Sequence, residues 1–204
     1  MDLTVAVSTF GDERWTKLAH KRAIPSAEAL GVPVVYSHAG TLHDARNNGL
    51  AKVDTEFVVN LDADDELEPG YVEAMALGSA DVRAPAVRYV HATVAGRPAM
   101  PRVAGHSHPC VAECLPWGNW LVVGSLVRAD LVRSVGGWWA EPVYEDWSLW
   151  LRCYRAGATF EAIPAAVYRA WVRPDSRNRS RPMEERNRVH HEIVRSIYPE
   201  GIPA

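Results

Sequence analysis

Five acidic side chains crowd into the stretch FVVNLDADDELEPG, residues 57–70: Asp62, Asp64, Asp65, Glu66 and Glu68. On an extended backbone, residues two apart point to the same side, so Asp62 and Asp64 are expected to converge on one ligand. Mg²⁺ and Mn²⁺ prefer carboxylate oxygens and often take only one or two from the protein, completing their shell with water and substrate phosphates. The stretch therefore predicts a Mn²⁺ or Mg²⁺ site at Asp62 and Asp64.

Other interpretations of this stretch are a calcium loop and a solvated turn. A helix–loop–helix calcium site is excluded, because position 67 is Leu where that loop needs Gly. A solvated acidic turn that leads into a helix N-terminus stays open on these residues alone, since helix N-termini favour acids.

A second acidic pair, Glu145 and Asp146, begins the segment EDWSLWLRCYRAG. The segment has the spacing of a helix with one buried face, formed by Trp147, Trp150, Leu151 and Tyr154. The acidic pair then lies at the helix N-terminus, where the dipole lowers a carboxylate pKa, and Asp146 is expected to be ionised and able to accept a proton. Helix capping is its alternative role.

Strands and helices alternate in the first part of the chain. Apolar runs predict strands at 3–9, 32–37 and 56–62. Asp12 is expected to cap the first helix, which Pro25 breaks or kinks, and Thr41 to begin the second. This order predicts an α/β fold with a mostly parallel central sheet flanked by helices, whose ligands bind beyond the carboxyl ends of the strands. The acidic stretch begins at such an end.

The remaining chain is less regular. We expect a short helix opened by Pro69, antiparallel strands within 80–100, a loop at 101–120 and strands at 121–127 and 159–168. A short helix stopped by the glycines at 136–137, an arginine-rich loop at 172–181 and a last helix from 182 complete the prediction. The last helix carries one apolar stripe, which packs on the domain or forms a homodimer contact: Val189, Ile193 and Ile197.

Composition limits the class of protein. The 204 residues fit one globular domain, with residues 1–100 as a nucleotide-binding half and residues 101–204 as an acceptor and catalytic half. The net charge of −3 gives no global reason for binding nucleic acid or membrane surfaces. No signal peptide or transmembrane run is visible, and the three cysteines form a poor disulfide framework, so a cytoplasmic protein is expected.

Three segments, in order, resemble the family 2 glycosyltransferases of GT-A fold: residues 3–10, ARNNGLAKVDTEFVVNLDADDELEPGYVEAM (45–75) and GSLVRADLVRSVGGWWAEPVYEDWSLWLRCYRAGA (124–158). The resemblance implies transfer of a sugar from a nucleotide-diphosphate donor with inversion at the anomeric carbon, assisted by a divalent cation. It implies UDP as the default nucleotide and leaves the hydroxyl acceptor open: a glycan, a protein or another molecule.

Site residues follow from the matching positions. The resemblance implies that Thr9 and Arg46 lie near the nucleotide, that Asp62 faces the ribose and the metal, and that Asp64 binds the metal. Asp146 matches the proposed catalytic base and Glu145 is its neighbour in the same ED pair.

The chain also departs from the family pattern. It reads VVYSHAG where the family usually has an acidic residue for the base, and the segment before ARNNGL is shortened. Trp171 stands near the position of a late histidine that binds metal or phosphate in many relatives. Arginines near this position are expected to neutralise the diphosphate instead, since guanidinium binds phosphate oxygens well: Arg169, Arg173, Arg177 and Arg179. A solvated basic loop is their alternative role.

Two features lie between these segments. Trp117 and Asn119 precede the GS segment where relatives often bind the acceptor, and aromatic rings stack well on sugar faces. Core packing is the alternative role of Trp117 and the favoured role of Trp120. Zinc-capable groups occur in HSHPCVAEC, but their spacing fits no common zinc module: His106, His108, Cys110 and Cys114.

The leading prediction is an inverting, metal-assisted glycosyltransferase. Two alternatives stay open: a non-catalytic module of the same fold that binds sugar nucleotides or glycans, and a metal-dependent phosphohydrolase or nucleotidyltransferase that uses the same aspartates.

Overall fold

A computed structural model of the chain describes residues 1–91, 102–104, 112–173 and 181–202. Its strands are β1 (Leu3–Phe10), β2 (Val34–Ala39), β3 (Phe57–Asp62), β4 (Glu66–Leu67), β5 (Val82–His91), β6 (Arg102–Ala104), β7 (Leu126–Arg128) and β8 (Phe160–Val172). Its helices are α1 (Glu13–Lys21), α2 (Ala23–Glu28), α3 (Leu42–Leu50), α4 (Tyr71–Met75), α5 (Ala129–Ser134), α6 (Glu145–Arg155) and α7 (Met183–Ile197), with a 3₁₀ helix at Ala112–Trp117. None of the helices in these ranges combines the length and apolar character needed to cross a membrane.

The strands form one eight-stranded sheet in the order β2-β1-β3-β7-β5-β8-β4, with β6 beside β5. Strand β1 runs parallel to β2 and β3, and β5 runs parallel to β8, so most paired residues are in parallel registers. Strand β1 is buried almost throughout, and both α1 and α3 contact it, as its continuous apolar sequence requires. The predicted α/β fold with a mostly parallel sheet flanked by helices is confirmed.

The two predicted halves of the chain share this sheet. Strands β3 and β5 come from residues 1–100, and both pair with β7 from the second half. Strand β5 also pairs with β8 along its whole length. A site at the carboxyl ends of the first strands is therefore built on the same framework as α6, which lies between β7 and β8 in the chain.

Two helices begin at the N-cap residues predicted from the sequence, Asp12 and Thr41. The Asp12 carboxylate accepts a hydrogen bond from the Arg14 amide at 2.8 Å, and Thr41 is the N-cap of α3. The predicted break at Pro25 is wrong in position, because α1 already ends at Lys21. Pro25 lies in the first turn of α2, where its missing N–H costs no helical hydrogen bond.

The strand predicted at 121–127 is largely wrong, because β7 begins only at Leu126. The Ser125 amide donates to the Val122 carbonyl at 2.9 Å, which closes a turn where the apolar run predicted extended backbone. Strand β8 is longer than predicted and reaches Val172, since both β5 and β4 pair with it. The predicted second strand of 80–100 falls mostly outside the described residues, as do three zinc-capable residues and two of the arginines: His106, His108, Cys110, Arg177 and Arg179.

The apolar stripe of α7 is buried within the chain. Val189, Ile193 and Ile197 are at most 4% exposed, and α7 contacts α6. The stripe therefore packs on its own domain and is not available for a dimer contact. Trp120 is also partly buried, with its ring 6.4 Å from that of Phe160, as predicted.

Candidate active site

The acidic stretch begins with a turn at the carboxyl end of β3. The Asp65 amide donates to the Asp62 carbonyl at 3.1 Å, so the backbone reverses between these two residues. The prediction of an extended backbone from Asp62 to Asp64 is therefore wrong. Aspartate is common in tight turns because its carboxylate accepts bonds from nearby backbone, and three aspartates in four positions favour this geometry.

Two of the other acids are held by β8. The Asp65 carboxylate accepts hydrogen bonds from the Tyr168 hydroxyl at 2.6 Å and from the Trp171 amide at 2.7 Å. Burial, together with the charges of its acidic neighbours, holds the pKa of Asp65 well above its usual range. The Glu66 carboxylate accepts from the Trp171 indole N–H at 2.8 Å. Both residues thus anchor the turn to β8.

The last acid of the stretch, Glu68, is paired with Arg169. The guanidinium of Arg169 lies 3.0 Å from Glu68 and 3.4 Å from Glu66. Arg169, predicted to bind the diphosphate, is thus held by two carboxylates of the acidic stretch. Three of the five acids, Asp65, Glu66 and Glu68, are therefore anchored to β8.

Asp64 lies in an unfavourable place for a negative charge. Burial and the charge of Asp62 raise the pKa of Asp64 to about 6, and the nearby guanidinium groups of Arg173 and Arg22 oppose that rise. Arg22 also donates to the Asp64 carbonyl at 2.7 Å and lies over the Trp171 ring at 4.0 Å. Arg22 was not predicted as a site residue, and no local sequence signal marks it.

Arg46 connects the acidic turn to α6. Its Nη2 donates to Asp62 Oδ1 at 2.8 Å and its Nη1 donates to Glu145 Oε1 at 2.9 Å. Burial lowers the pKa of Arg46, but the charges of Asp62 and Glu145 outweigh this effect, so the pKa is raised above its usual value. The side chain is only 1% exposed, whereas that of Asp62 is 38% exposed. Arg46 thus pairs with Glu145 and Asp62, and the nucleotide contact expected of Arg46 and the catalytic role expected of Glu145 stay predictions.

A second buried contact holds Arg46 in place. Its guanidinium lies 4.4 Å from the centre of the Trp138 ring. The Asn47 side chain in turn donates to the Trp138 carbonyl at 2.9 Å and accepts from the Trp138 amide at 2.8 Å. Gly137 allows this approach, because a Cβ there would lie 2.5 Å from the Asn47 oxygen. The matching segments ARNNGL and GGW thus meet in space.

Asp146 occupies the first turn of α6. The preceding Tyr144 has a φ of +62°, a left-handed conformation that non-glycine residues adopt at a cost of about 1–2 kcal/mol. Asp146 Oδ1 accepts from the Trp147 amide at 2.8 Å, and Oδ2 accepts from Asn119 Nδ2 at 3.2 Å. Tyr144 and Asn119 together direct the carboxylate.

The pKa of Asp146 moves opposite to the prediction. Burial raises it to about 6, and the charge of Glu145 adds to the rise. The Trp147 amide and the Arg46 charge lower it by less. Helix position alone predicts a low pKa, but loss of solvent around the carboxylate outweighs the helix dipole. Such an Asp is ionised at neutral pH and is a stronger base than a solvated one.

Thr9 lies at the end of β1, next to the acidic turn, since Ser8 is in register with Asp62. Its hydroxyl lies 2.8 Å from the Tyr36 hydroxyl and 2.9 Å from Nδ1 of His38. His38 is exposed and stands where the family has an acidic residue. The nucleotide contact expected of Thr9 stays a prediction.

Of the two predicted acceptor residues, Asn119 contacts Asp146. Asn119 bonds Asp146 directly, as described above, and its Oδ1 accepts from the Leu121 amide at 3.0 Å. Trp117, at the end of the 3₁₀ helix, is 74% exposed. A large exposed indole offers an apolar face for stacking, and the acceptor contacts expected of Trp117 and Asn119 stay predictions.

The chain resembles known proteins in sequence and in fold. Residues 23–83 match the model of glycosyl transferase family 2, a range that contains Arg46, Asp62 and Asp64. No curated protein matches the sequence. Crystal structures of S. aureus TarS have a similar fold. TarS 1–349 in complex with UDP-GlcNAc has a TM-score of 0.65 and 17% identity, over 98% of this chain and 66% of that one.

A second TarS 1–349 structure, in complex with UDP, has a TM-score of 0.60 and 16% identity, over 100% of this chain and 67% of that one. The chain thus spans about two thirds of TarS 1–349, and at these identities the likeness shows a shared fold. The family model, over residues 23–83, and the shared fold, over nearly the whole chain, together confirm the resemblance to glycosyltransferase family 2 seen in the sequence.

Proposed function

We propose that the chain is an inverting glycosyltransferase that moves a sugar from a nucleoside-diphosphate sugar to a hydroxyl acceptor. One observation carries the proposal: the buried Arg46 joins Asp62, at the end of β3, to the first turn of α6, where Asp146 lies. Asp62, the carboxylate proposed to face the donor, and Asp146, the proposed base, are thereby linked through Arg46 and Glu145. The TarS structures in complex with UDP and UDP-GlcNAc support UDP as the nucleotide.

In this proposal, Asp146 is the general base. The acceptor oxygen forms a bond to the anomeric carbon while the bond from that carbon to the diphosphate breaks on the opposite face. The hydroxyl proton passes to Asp146, and the nucleoside diphosphate leaves with the bonding electrons. A pKa of about 6 suits this role, because the carboxylate is ionised at neutral pH and still basic. Asn119, which donates to Oδ2, would hold this oxygen toward the acceptor.

Asp62 and Asp64 fit a divalent cation. Their carboxylates repel each other across the turn, and hard cations prefer such oxygens. The described ranges contain no group of three or more His, Cys, Asp or Glu side chains arranged for a metal, so water and the diphosphate would supply the other oxygens. When bound there, Mg²⁺ or Mn²⁺ would neutralise charge on the departing diphosphate.

The acceptor is proposed to bind against Trp117. An indole that is 74% exposed and lies near Asn119 offers an apolar face for a sugar ring. A glycan or another hydroxyl-bearing molecule with such a face suits this site best.

The proposal is tested by measuring sugar transfer with Asp146→Asn. We expect donor binding to persist and transfer to fall about 10²–10⁴-fold, the usual contribution of a general base. Asp130→Asn is the matched control, because Asp130 also lies in the first turn of a helix but is 96% exposed. Full turnover by Asp146→Asn would remove this residue from the mechanism.

The same assay distinguishes the alternatives. Binding of sugar nucleotides with neither transfer nor hydrolysis would indicate a binding module. Release of nucleoside diphosphate without a sugar product, or of pyrophosphate, would indicate a phosphohydrolase or nucleotidyltransferase.

A further inference from the structure

A pocket of about 280 Å³ opens along α1. Its lining comes from α1 and from the residue that follows β8: Arg14, Trp15, Lys17, Leu18, Lys21 and Arg173. Four of these six side chains are cationic, in a chain whose net charge is −3. Two of the three lysines in the sequence lie here, the third being Lys52. The pocket is therefore a local concentration of positive charge.

The cations converge because of helical spacing and an aromatic centre. Positions 14, 17 and 21 are three and four apart, so their side chains share one face of α1. The Arg14 guanidinium lies 5.0 Å from the centre of the Trp15 ring, and that of Arg173 lies 5.3 Å from it. Cation–π contacts at these distances hold both guanidinium groups near one indole.

One lysine of the pocket has an acidic partner on the same helix. Lys17 pairs with Glu13 at 3.1 Å, but the two side chains are 71% and 75% exposed, so water and salt weaken the pair. The Asp12 carboxylate is bound by the Arg14 amide. Arg173 also interacts electrostatically with Asp64, which places one wall of the pocket beside the acidic turn.

We propose that this pocket binds a phosphate group of a substrate. Guanidinium and ammonium groups are the usual partners of phosphate oxygens, and the indole face beside them can cover the attached sugar or base. The inference rests on the proposed function, because its two possible sources are both substrates of a transfer reaction: the donor diphosphate and a phosphate-bearing acceptor. Neither α1 nor its basic side chains were assigned to the site from the sequence.

The test measures binding by calorimetry with three probes: pyrophosphate, UDP and glycerol 3-phosphate. The variant is the full chain with Lys17→Gln and Lys21→Gln, and Lys52→Gln is the control, since Lys52 is exposed and donates to the Tyr36 carbonyl. We expect pyrophosphate to bind about tenfold more weakly to the double variant and unchanged to the control. Glu13→Gln, which removes the partner of Lys17, should bind pyrophosphate more tightly.

The other probes identify the source of the phosphate. A matching loss of UDP affinity indicates the donor diphosphate. Glycerol 3-phosphate that binds in the presence of saturating UDP, and more weakly to the double variant, indicates a phosphate-bearing acceptor. Equal affinity of wild type and double variant for all three probes, with unchanged thermal unfolding, would overturn the proposal. A wild type that binds phosphate here but transfers no sugar would contradict the proposed function alone.

Discussion

Arg46 and Glu145 lie 99 positions apart in the sequence, yet Nη1 of one is 2.9 Å from Oε1 of the other in the protein interior. The same guanidinium binds Asp62 through Nη2. A buried charge is tolerated only when it is paired and hydrogen-bonded, and here one cation serves two carboxylates on different elements. The two bonds of Arg46 therefore set the separation between Asp62, at the end of β3, and Glu145, at the start of α6.

Arg46→Met should destabilise the protein by about 3–5 kcal/mol, because two carboxylates then lose their shared counter-charge. The free energy of unfolding in urea measures this loss. Arg128→Met is the control, since Arg128 also pairs with two carboxylates, of Glu56 and Asp81, but is 40% exposed. It should cost less than about 1 kcal/mol. Similar losses in the free energy of unfolding for the two variants would show that the buried ion pairs of Arg46 contribute no more to stability than exposed ones.

The rate of transfer should depend on the ionisation of Asp146. Because its pKa is about 6, we expect kcat/KM to rise with pH up to about 6 and then to level off. Glu145 raises this pKa, so Glu145→Gln should move the midpoint of the profile to lower pH. If wild type and Glu145→Gln had the same midpoint, the group that titrates in the profile would not be Asp146.

Protonation of Asp146 should stabilise the folded protein, although it should lower the rate of transfer. A folded-state pKa raised from 3.8 to about 6 means that the proton is bound more tightly in the folded protein. The resulting stabilisation is complete below about pH 4 and is lost as pH rises through 6. At pH 8, Asp146→Asn should be more stable than wild type by about 1–2 kcal/mol, a figure that allows for solvent screening.

Thermal or urea unfolding at pH 4 and at pH 8 measures this difference. Asp130→Asn, at a highly exposed carboxylate, should show no comparable change between the two pH values. A gain for Asp146→Asn that is equal at both pH values would contradict ionisation of Asp146 as its cause.

Local features of this protein were predictable from the sequence. The caps Asp12 and Thr41 depend on one side chain and the next turn of backbone, which adjacent residues specify. The order of the first three strands and the place of the acidic stretch at a strand end were predictable for the same reason. The basic face of α1 was also visible, as arginine and lysine at 14, 17 and 21, but composition alone directed attention to the arginine-rich loop instead.

Features that depend on distant contacts were not predictable. The roles of Arg46 and Glu145 require knowing that residues far apart in the sequence meet in the interior. The pKa of Asp146 was predicted in the wrong direction, because the helix dipole is a local property whereas burial is a property of the whole fold. The turn at Asp62 was missed because the alternation of side chains holds only on an extended backbone, and the backbone here was assumed to be extended.

A cation at Asp62 and Asp64 should stabilise the folded protein, since it binds the folded state, and the gain should grow with the logarithm of its concentration above the Kd. We expect MnCl₂ to raise the thermal unfolding temperature of wild type, chelation to reverse the rise, and Asp64→Asn to abolish it. Asp54→Asn is the control, because Asp54 is an exposed aspartate that precedes β3 and lies outside the acidic stretch. An equal rise in wild type and Asp64→Asn would place the cation elsewhere.

Gly137→Ala should be more costly than a glycine substitution usually is. Gly137 has a φ of +68°, and its new Cβ would lie 2.5 Å from the Asn47 oxygen that binds the Trp138 amide. Backbone strain and loss of that contact should together cost about 2–4 kcal/mol in the free energy of unfolding. Because the Trp138 ring packs on Arg46, the rate of transfer should fall as well.

Gly157→Ala separates strain from the loss of contact. Gly157 ends α6 with a φ of +85°, and a Cβ there would meet nothing within 4 Å. This variant should lose only the strain energy of about 1–2 kcal/mol and keep its transfer rate. Equal losses of stability in the two variants would show that the contact between Asn47 and Trp138 does not hold Arg46 in place.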